Sequence, residues 1–504
     1  MFAGLAVSVW MANAQVAPGA LGYYNDALNF AQSNPLSGST ARMQGIGGTQ
    51  ISLGADMSSA GSNPAGLGML NRSVFSFTPS MEFNNSKSNY LGNSLSTYKN
   101  NFNFANLGIV FNSNKGDYTN EKFKGGSFAF TLQRNMSFNN ESTYKGQNTQ
   151  NSIIDSFINS AGTSDPANLG GYTNGAYQTY LINPVYNNGN LQGYDSFVLG
   201  YPTQKETITT SGSQYAMNFA WGGNYDDKIY FGAGIGFLTM NYDISRIYNE
   251  NQFTYTDSLG NQQVDDWINY TKINDDLKIN GNGVNANFGL IVRPVNFITF
   301  GIAYQSPSYY SLSDKSEYTM TTSWNGVTVQ DGNNSKVLNV EDFPSDISTS
   351  KYNLKTPGKL SMGGTVFIDK YGFISADVIL INYSTGQLKS NDFDVTADNQ
   401  TVSSLYTNVI NYRIGAEARL DHFRLRTGFN YRPSPYFDNQ SFNASTSSIS
   451  FGAGYRAQDF FVDLALVSRK SYNAYTPYYI SNNQPVANIT NNRAVFSATV
   501  GFNF

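Results

Sequence analysis

From Val74 to the carboxy terminus, apolar residues occupy every second position in one run after another, and this periodicity decides most of what the chain can become. Alternation at period two marks strands with one apolar and one polar face. The last run is the cleanest: Ala494, Phe496, Ala498, Val500, Phe502 and Phe504 share one face, and Ser497, Thr499, Gly501 and Asn503 the other. Phe75, Phe77, Met81 and Phe83, then Val284, Ala286, Phe288 and Leu290, then Ile449, Phe451, Ala453 and Tyr455 repeat the pattern. The polar faces carry Gly, Ser, Asn and Thr rather than the Lys and Glu of a soluble sandwich. Such small uncharged residues suit a crowded, wet interior.

The pattern predicts about fourteen strands, each long enough for the roughly 9–11 residues a tilted strand needs to cross a bilayer. They lie near 74–83, 102–112, 124–137, 205–222, 228–247, 268–293, 297–322, 353–369, 371–388, 404–420, 422–433, 446–456, 458–472 and 492–504. Short turns at 224–227, 293–296, 369–371, 420–422 and 456–458 alternate with long polar stretches at 84–101, 138–204, 248–267, 323–352, 389–403, 434–445 and 473–491. Segment 113–123 is the one longer member of the short set. Short periplasmic turns alternating with long extracellular loops characterise outer-membrane barrels. The expected fold is therefore all-β, a transmembrane antiparallel β-barrel. The 138–204 loop, the longest, holds two helical candidates, Ile153–Ser160 and Tyr172–Asn183.

Composition agrees. Aromatics reach 15% and charged residues only 13%, well under the usual quarter or so. Mean hydropathy is −0.36, and no long apolar run follows residue 14, which excludes membrane-spanning helices but not strands that show lipid every second residue. Cysteine is absent, removing disulfides, thiolate chemistry and a lipoprotein anchor. A net charge of −4 gives no reason to expect nucleic acid. Met1 to Trp10 is apolar and Ala12-Asn13-Ala14 reads as a cleavage site, so residues 1–14 are expected to be a signal peptide. No Lys or Arg precedes it, as expected of a start lacking part of its charged region. Residues 15–73 do not alternate and are rich in small residues, which predicts a compact plug ahead of a barrel over 74–504.

The stretch Gly38-Ser39-Thr40-Ala41-Arg42-Met43-Gln44-Gly45-Ile46-Gly47-Gly48, then Gly54-Ala55-Asp56 and Asn63-Pro64-Ala65-Gly66-Leu67, resembles the hatch of the FadL family, with Asn-Pro-Ala just before the first strand. Looser matches are Leu354-Lys355-Thr356-Pro357, Ser375-Ala376-Asp377-Val378 and Arg413-Ile414-Gly415-Ala416-Glu417. The wording looks most like members from Bacteroidota. The resemblance implies an N-terminal hatch in the lumen, capture of hydrophobic molecules by extracellular loops, a pocket in the upper lumen, and lateral release through a gap made by a kink in the third strand. In this chain the third strand carries Gly125-Gly126, which reads either as a bulge there or as a flexible strand start.

Each candidate site has more than one reading. Asn63, Pro64 and Ala65 cap and turn the plug, or take part in gating. Parity places Arg413, Glu417, Arg419, Arg424, Arg426 and Arg432 on the inner face. This basic ladder holds a ligand carboxylate by bidentate pairing, pins the plug through Asp26 or Asp56, or is simply hydrated; Arg42 shares the ambiguity. Phe157, Tyr180 and Leu181, with Tyr177, form a capture groove or the small core of their own loop. Val16, Leu21 and Tyr23 are expected to reach the lumenal pocket. Gly232-Ala233-Gly234-Ile235-Gly236 lies in a strand without a following helix and is no phosphate loop. His422 is the sole histidine and sits in a turn, so no His-based triad, multi-His metal site, cofactor or enzyme is expected.

The leading expectation is passive uptake of a hydrophobic small molecule, such as a fatty acid, by a monomeric barrel among the lipids of a Gram-negative outer membrane. The alternative, also implied by the resemblance, is a protein-binding subunit or shuttle of a type IX-like secretion machine. A general porin is the third option, which a plug would oppose.

Overall fold

The computed structural model describes residues 22–32, 38–113, 115, 121–331, 334–437 and 443–504. The expected signal peptide, Val16 and Leu21 lie outside them. Fourteen antiparallel strands form one closed ring. They are β1 Val74–Tyr90, β2 Asn93–Asn112, β3 Phe123–Ser137 with its continuation Asn140–Gln147, β4 Tyr201–Tyr225, β5 Ile229–Thr256 and β6 Ile268–Val295. Then follow β7 in two pieces, Ile298–Gln305 and Tyr309–Asp331, and β8 likewise, Asn334–Lys355 and Lys359–Ile368. The ring continues with β9 Gly372–Asn382, extended by Gln387–Ser390, β10 Asn408–Leu420, β11 Phe423–Arg432, β12 Thr446–Arg456, β13 Phe460–Tyr475 and β14 Ala487–Asn503. Closure is by β1 on β14, in register from Val74↔Asn503 to Asn89↔Asn488 apart from a break near the β1 bulge.

The alternation read in the sequence is the in/out pattern of this wall. Outward residues such as Phe288 (53% exposed), Phe300, Ile374, Ile414, Phe451 and Phe496 stay bare, while their neighbours are covered from within. A ring of exposed apolar side chains on every strand belongs against hydrocarbon rather than water.

At the end away from the short turns, strands replace expected loops. Residues 84–101 are the top of the β1–β2 hairpin, which turns at Leu91–Gly92 with positive φ at both. Residues 323–352 are mostly the β7–β8 hairpin, and 248–256 continues β5. Beyond the hydrocarbon neither face of a strand needs to be apolar, so alternation stops while the backbone ladder goes on. Pro307 and Pro357 mark the breaks in β7 and β8, since proline cannot donate to a ladder.

The 138–204 segment folds over the mouth through α-helices Ile153–Ala161 and Gly171–Gln178 and a small hairpin, Asn183–Asn187 with Asn190–Asp195. The second helix ends five residues before the expected Asn183, and Tyr180 then takes a positive φ. Buried Glu250 ties the first helix to β5 by accepting from Ser152 Oγ and Ile153 N.

Candidate functional site

The N-terminal segment packs on inward-facing residues from all round the ring. The helix Ala41–Gly45 starts at Thr40, whose Oγ1 is set to cap Met43. Its Ala41 N donates to Thr499 of β14 at 2.7 Å. Asp377 of β9 accepts from Gln50 N and Ile51 N at 2.9 and 3.3 Å. Asn63 caps the 3₁₀ turn Pro64–Met69, with Ala65 N donating to its Oδ1 and its own Nδ2 donating to Ile51 O. Pro64 and Ala65 lie so close to the wall that a Cβ at Gly232 would sit 2.4 Å from the Pro64 carbonyl carbon, and one at Gly301 would meet Ile51 O at 2.1 Å. Gly232 of β5, with Gly222 of β4 and Gly289 of β6, is thus a landing surface for the Asn-Pro-Ala turn.

The expected basic ladder is spent on internal bonds. Arg413 donates to Gly48 O at 3.2 Å. Arg426 bridges Glu417 and Asp463, each at 2.7 Å, and Arg419 pairs with Glu417 at 3.0 Å. Arg424 turns back to the carbonyls of Asp421 and Phe423. Arg42 donates to Ala55 O at 2.8 Å, its Nε 3.9 Å from Glu417. Arg413 and Arg42 thus join the N-terminal segment to the wall, while Arg419, Arg424 and Arg426 bond within the wall near the short turns.

The open space lies farther up. A cavity of about 470 Å³ is lined on one side by Leu28, Phe138, Ile208, Tyr242, Leu277 and Ile279, and on the other by Arg432, Arg469 and Arg493. Arg432 donates to Gln32 O, and Arg493 donates to Asn139 O at 2.9 Å and stands 3.9 Å from Glu82. Arg469 makes no hydrogen bond or ion pair among the described residues, and its guanidinium faces the cavity. Two carboxylates also reach it, Asp26 and Asp314, each accepting a tyrosine hydroxyl at 2.6 Å, from Tyr352 and Tyr23. Inner-face parity, applied to β10 and β11 in the sequence, also points Arg469 and Arg493 inward; Leu464, Leu466 and Phe496 supply the outward half of that rule.

The wall beside this cavity is incomplete. β2 pairs with β3 only from Asn106↔Gln133 to Asn112↔Ser127, although β2 runs on to Asn93 against β1. At Arg134–Met136 the register of β3 shifts, Phe138–Asn139 interrupt it, and Asn140–Gln147 pairs with β4 alone. The continuation lies inside, where Asn84 and Ser86 of β1 donate to Asn139 O and Asn140 Oδ1. Phe102 and Phe104 of β2 are left exposed, and Lys99 Nζ to Thr210 O and Tyr215 OH to Phe104 O reach across the gap. Gly125, at φ +108, follows a register shift between Phe123 and Gly125, near the short-turn end and about ten residues from the departure of β3.

Under the loop helices a second cavity, about 260 Å³, is lined by Ile153, Phe157, Tyr172, Tyr248, Ile273 and Tyr478. Phe157 faces it, whereas Leu181 is wholly buried in the loop core and Tyr180 carries Lys336 over its ring at 4.6 Å.

No protein-family model matches the sequence, and no curated protein matches it. Among solved structures, it is similar to a Pseudomonas aeruginosa FadL homologue, at 14% identity and a TM-score of 0.55 over 92% of this chain and 98% of that one. It is also similar to the P. putida toluene transporter TodX, at 11% identity and a TM-score of 0.50 over 93% and 99% of the two chains. Across nearly its whole length, the chain therefore has the fold of the FadL-type barrels.

Proposed function

We propose that this chain is an outer-membrane transporter for passive uptake of hydrophobic small molecules carrying an anionic head, of which fatty acids are the simplest class. The observation that carries the reading is the lumenal cavity, in which Ile208, Leu277 and Ile279 lie across from Arg432, Arg469 and Arg493, with Arg246 and Asp314 on the side of the apolar residues. Guanidinium groups suit a carboxylate, and the opposite wall suits an acyl chain. Loop capture would take place in the cavity beside Phe157. Lateral release would use the gap between β2 and β3, because Met136, Ser137 and Phe138, where β3 leaves the wall, also line the lumenal cavity. Residues 15–73 would act as the plug, 74–504 as the barrel, and 1–14 as a removed signal peptide. The likeness to a solved toluene transporter supports hydrophobic cargo.

The test is mass spectrometry of the denatured extract of protein purified mildly from its native membrane. The expected result is a stoichiometric lipophilic acid. An empty barrel carrying a stoichiometric protein would overturn the reading in favour of a machine subunit.

A further inference from the structure

Arg246 of β5 is the residue that lines both cavities. Its Nε lies 3.0 Å from Glu206 Oε1 and its Nη1 3.2 Å from Asp275 Oδ2, and all three groups are buried or nearly so. Tyrosines complete the layer. Tyr475 donates to Glu206 Oε1 at 3.1 Å, with its ring 5.4 Å from the Arg246 guanidinium carbon, and Tyr144 donates to Glu206 Oε2. Tyr172 donates to Asp275 Oδ2 at 2.7 Å and is the member of the layer that comes from a loop helix; it also lines the upper cavity.

We propose that this layer is a charge-selective partition between the loop cavity and the lumenal cavity, with Arg246 as the specificity-determining residue. The inference rests on the transport reading above. A molecule passing between the cavities must part Arg246 from at least one carboxylate. For a neutral apolar molecule this breaks a buried ion pair and puts no charged group in its place, a costly step. A carboxylate-headed molecule replaces Asp275 as acceptor, so Arg246 stays paired, and Tyr172 still donates to the freed Asp275. The head can then pass to Arg469, which lacks a partner of its own among the described residues. The partition thus rejects neutral hydrocarbons and admits their acids.

The test compares dodecanoate with dodecanol in cells whose outer membrane carries the full chain as its route for such molecules, alongside calorimetric binding to the purified protein. Wild type should take up the acid faster than the alcohol. Arg246→Met should lower the acid-to-alcohol uptake ratio by about tenfold or more, the scale of one lost charge-assisted contact. The pair Glu206→Gln with Asp275→Asn, which discharges the partition from the other side, should speed the alcohol. It serves as the deciding variant if Arg246→Met does not assemble. An unchanged ratio in the assembled variants, with wild type still importing the acid, overturns the partition and leaves the transport reading standing. Failure of wild type to bind or import either molecule overturns both.

Discussion

Asp26 sits in the short helix Tyr24–Asn29, buried against the cavity with Tyr352 OH donating to it. Burial lifts its pKa to about 7, with Asp314 and Asp398 adding to the rise while the Tyr352 bond opposes it. The docked helix therefore holds a neutral acid that would ionise in the ordinary carboxylate range once released. Docking should be tightest in acid and weaken as pH rises towards 7, by up to about tenfold per unit. Hydrogen exchange of residues 22–32 should quicken over that range, and Asp26→Asn should flatten the profile. Arg469 yields a second expectation at this scale. Arg469→Ala should weaken dodecanoate binding by about 10–100-fold and leave dodecanol binding unchanged, as read by calorimetry. Arg493 is a poorer probe, because its bonds to Ser137 and Asn139 also hold the kinked strand in place.

Among the elements, β3 determines whether the wall has a side opening. If release runs between β2 and β3, tying β2 to β4 across the space that β3 leaves should block it without emptying the cavity. Lys99→Cys with Thr210→Cys, bridged by a reducible cross-linker, should leave dodecanoate binding intact, cut uptake by about tenfold or more, and recover on reduction. Uptake that ignores the bridge would place release elsewhere. The elements also show where sequence reasoning reaches and where it stops. Within the hydrocarbon, alternation locates strands because lipid and lumen impose opposite demands on successive residues. Over 84–101 and 323–352 that demand is gone, and paired strands read as loops. Gly125-Gly126 stands beside a register shift at Phe123–Gly125, yet the departure of β3 comes at Asn135 and Phe138–Asn139, which carry no composition signal. Parity found the inward arginines of β10 and β11. That Arg413 bonds Gly48 O and Arg426 bridges Glu417 and Asp463, while Arg469 has no bonding partner among the described residues, depends on residues distant in sequence and is not legible there.

At the scale of the whole molecule, the N-terminal segment and the wall are fitted backbone to backbone. Gly232→Leu or Gly301→Leu should displace that segment, because in each case the added atoms meet backbone that cannot rotate away. Planar-bilayer recordings should then show a raised conductance. Gly364→Ala, whose Cβ would find its nearest atom at 3.6 Å, should leave conductance at the wild-type level. The same fit constrains assembly. The chain runs from the interior segment through Arg72 and Ser73 directly into β1, and β1 is the strand on which β14 closes the ring. Residues 41–65, ahead of β1 in the chain, lie inside the ring, with contacts on β14, β9, β7 and β5 that exist only once those strands have arrived. The wall must therefore be wrapped round its own beginning, and the interior serves as the former on which the last seam is brought into register.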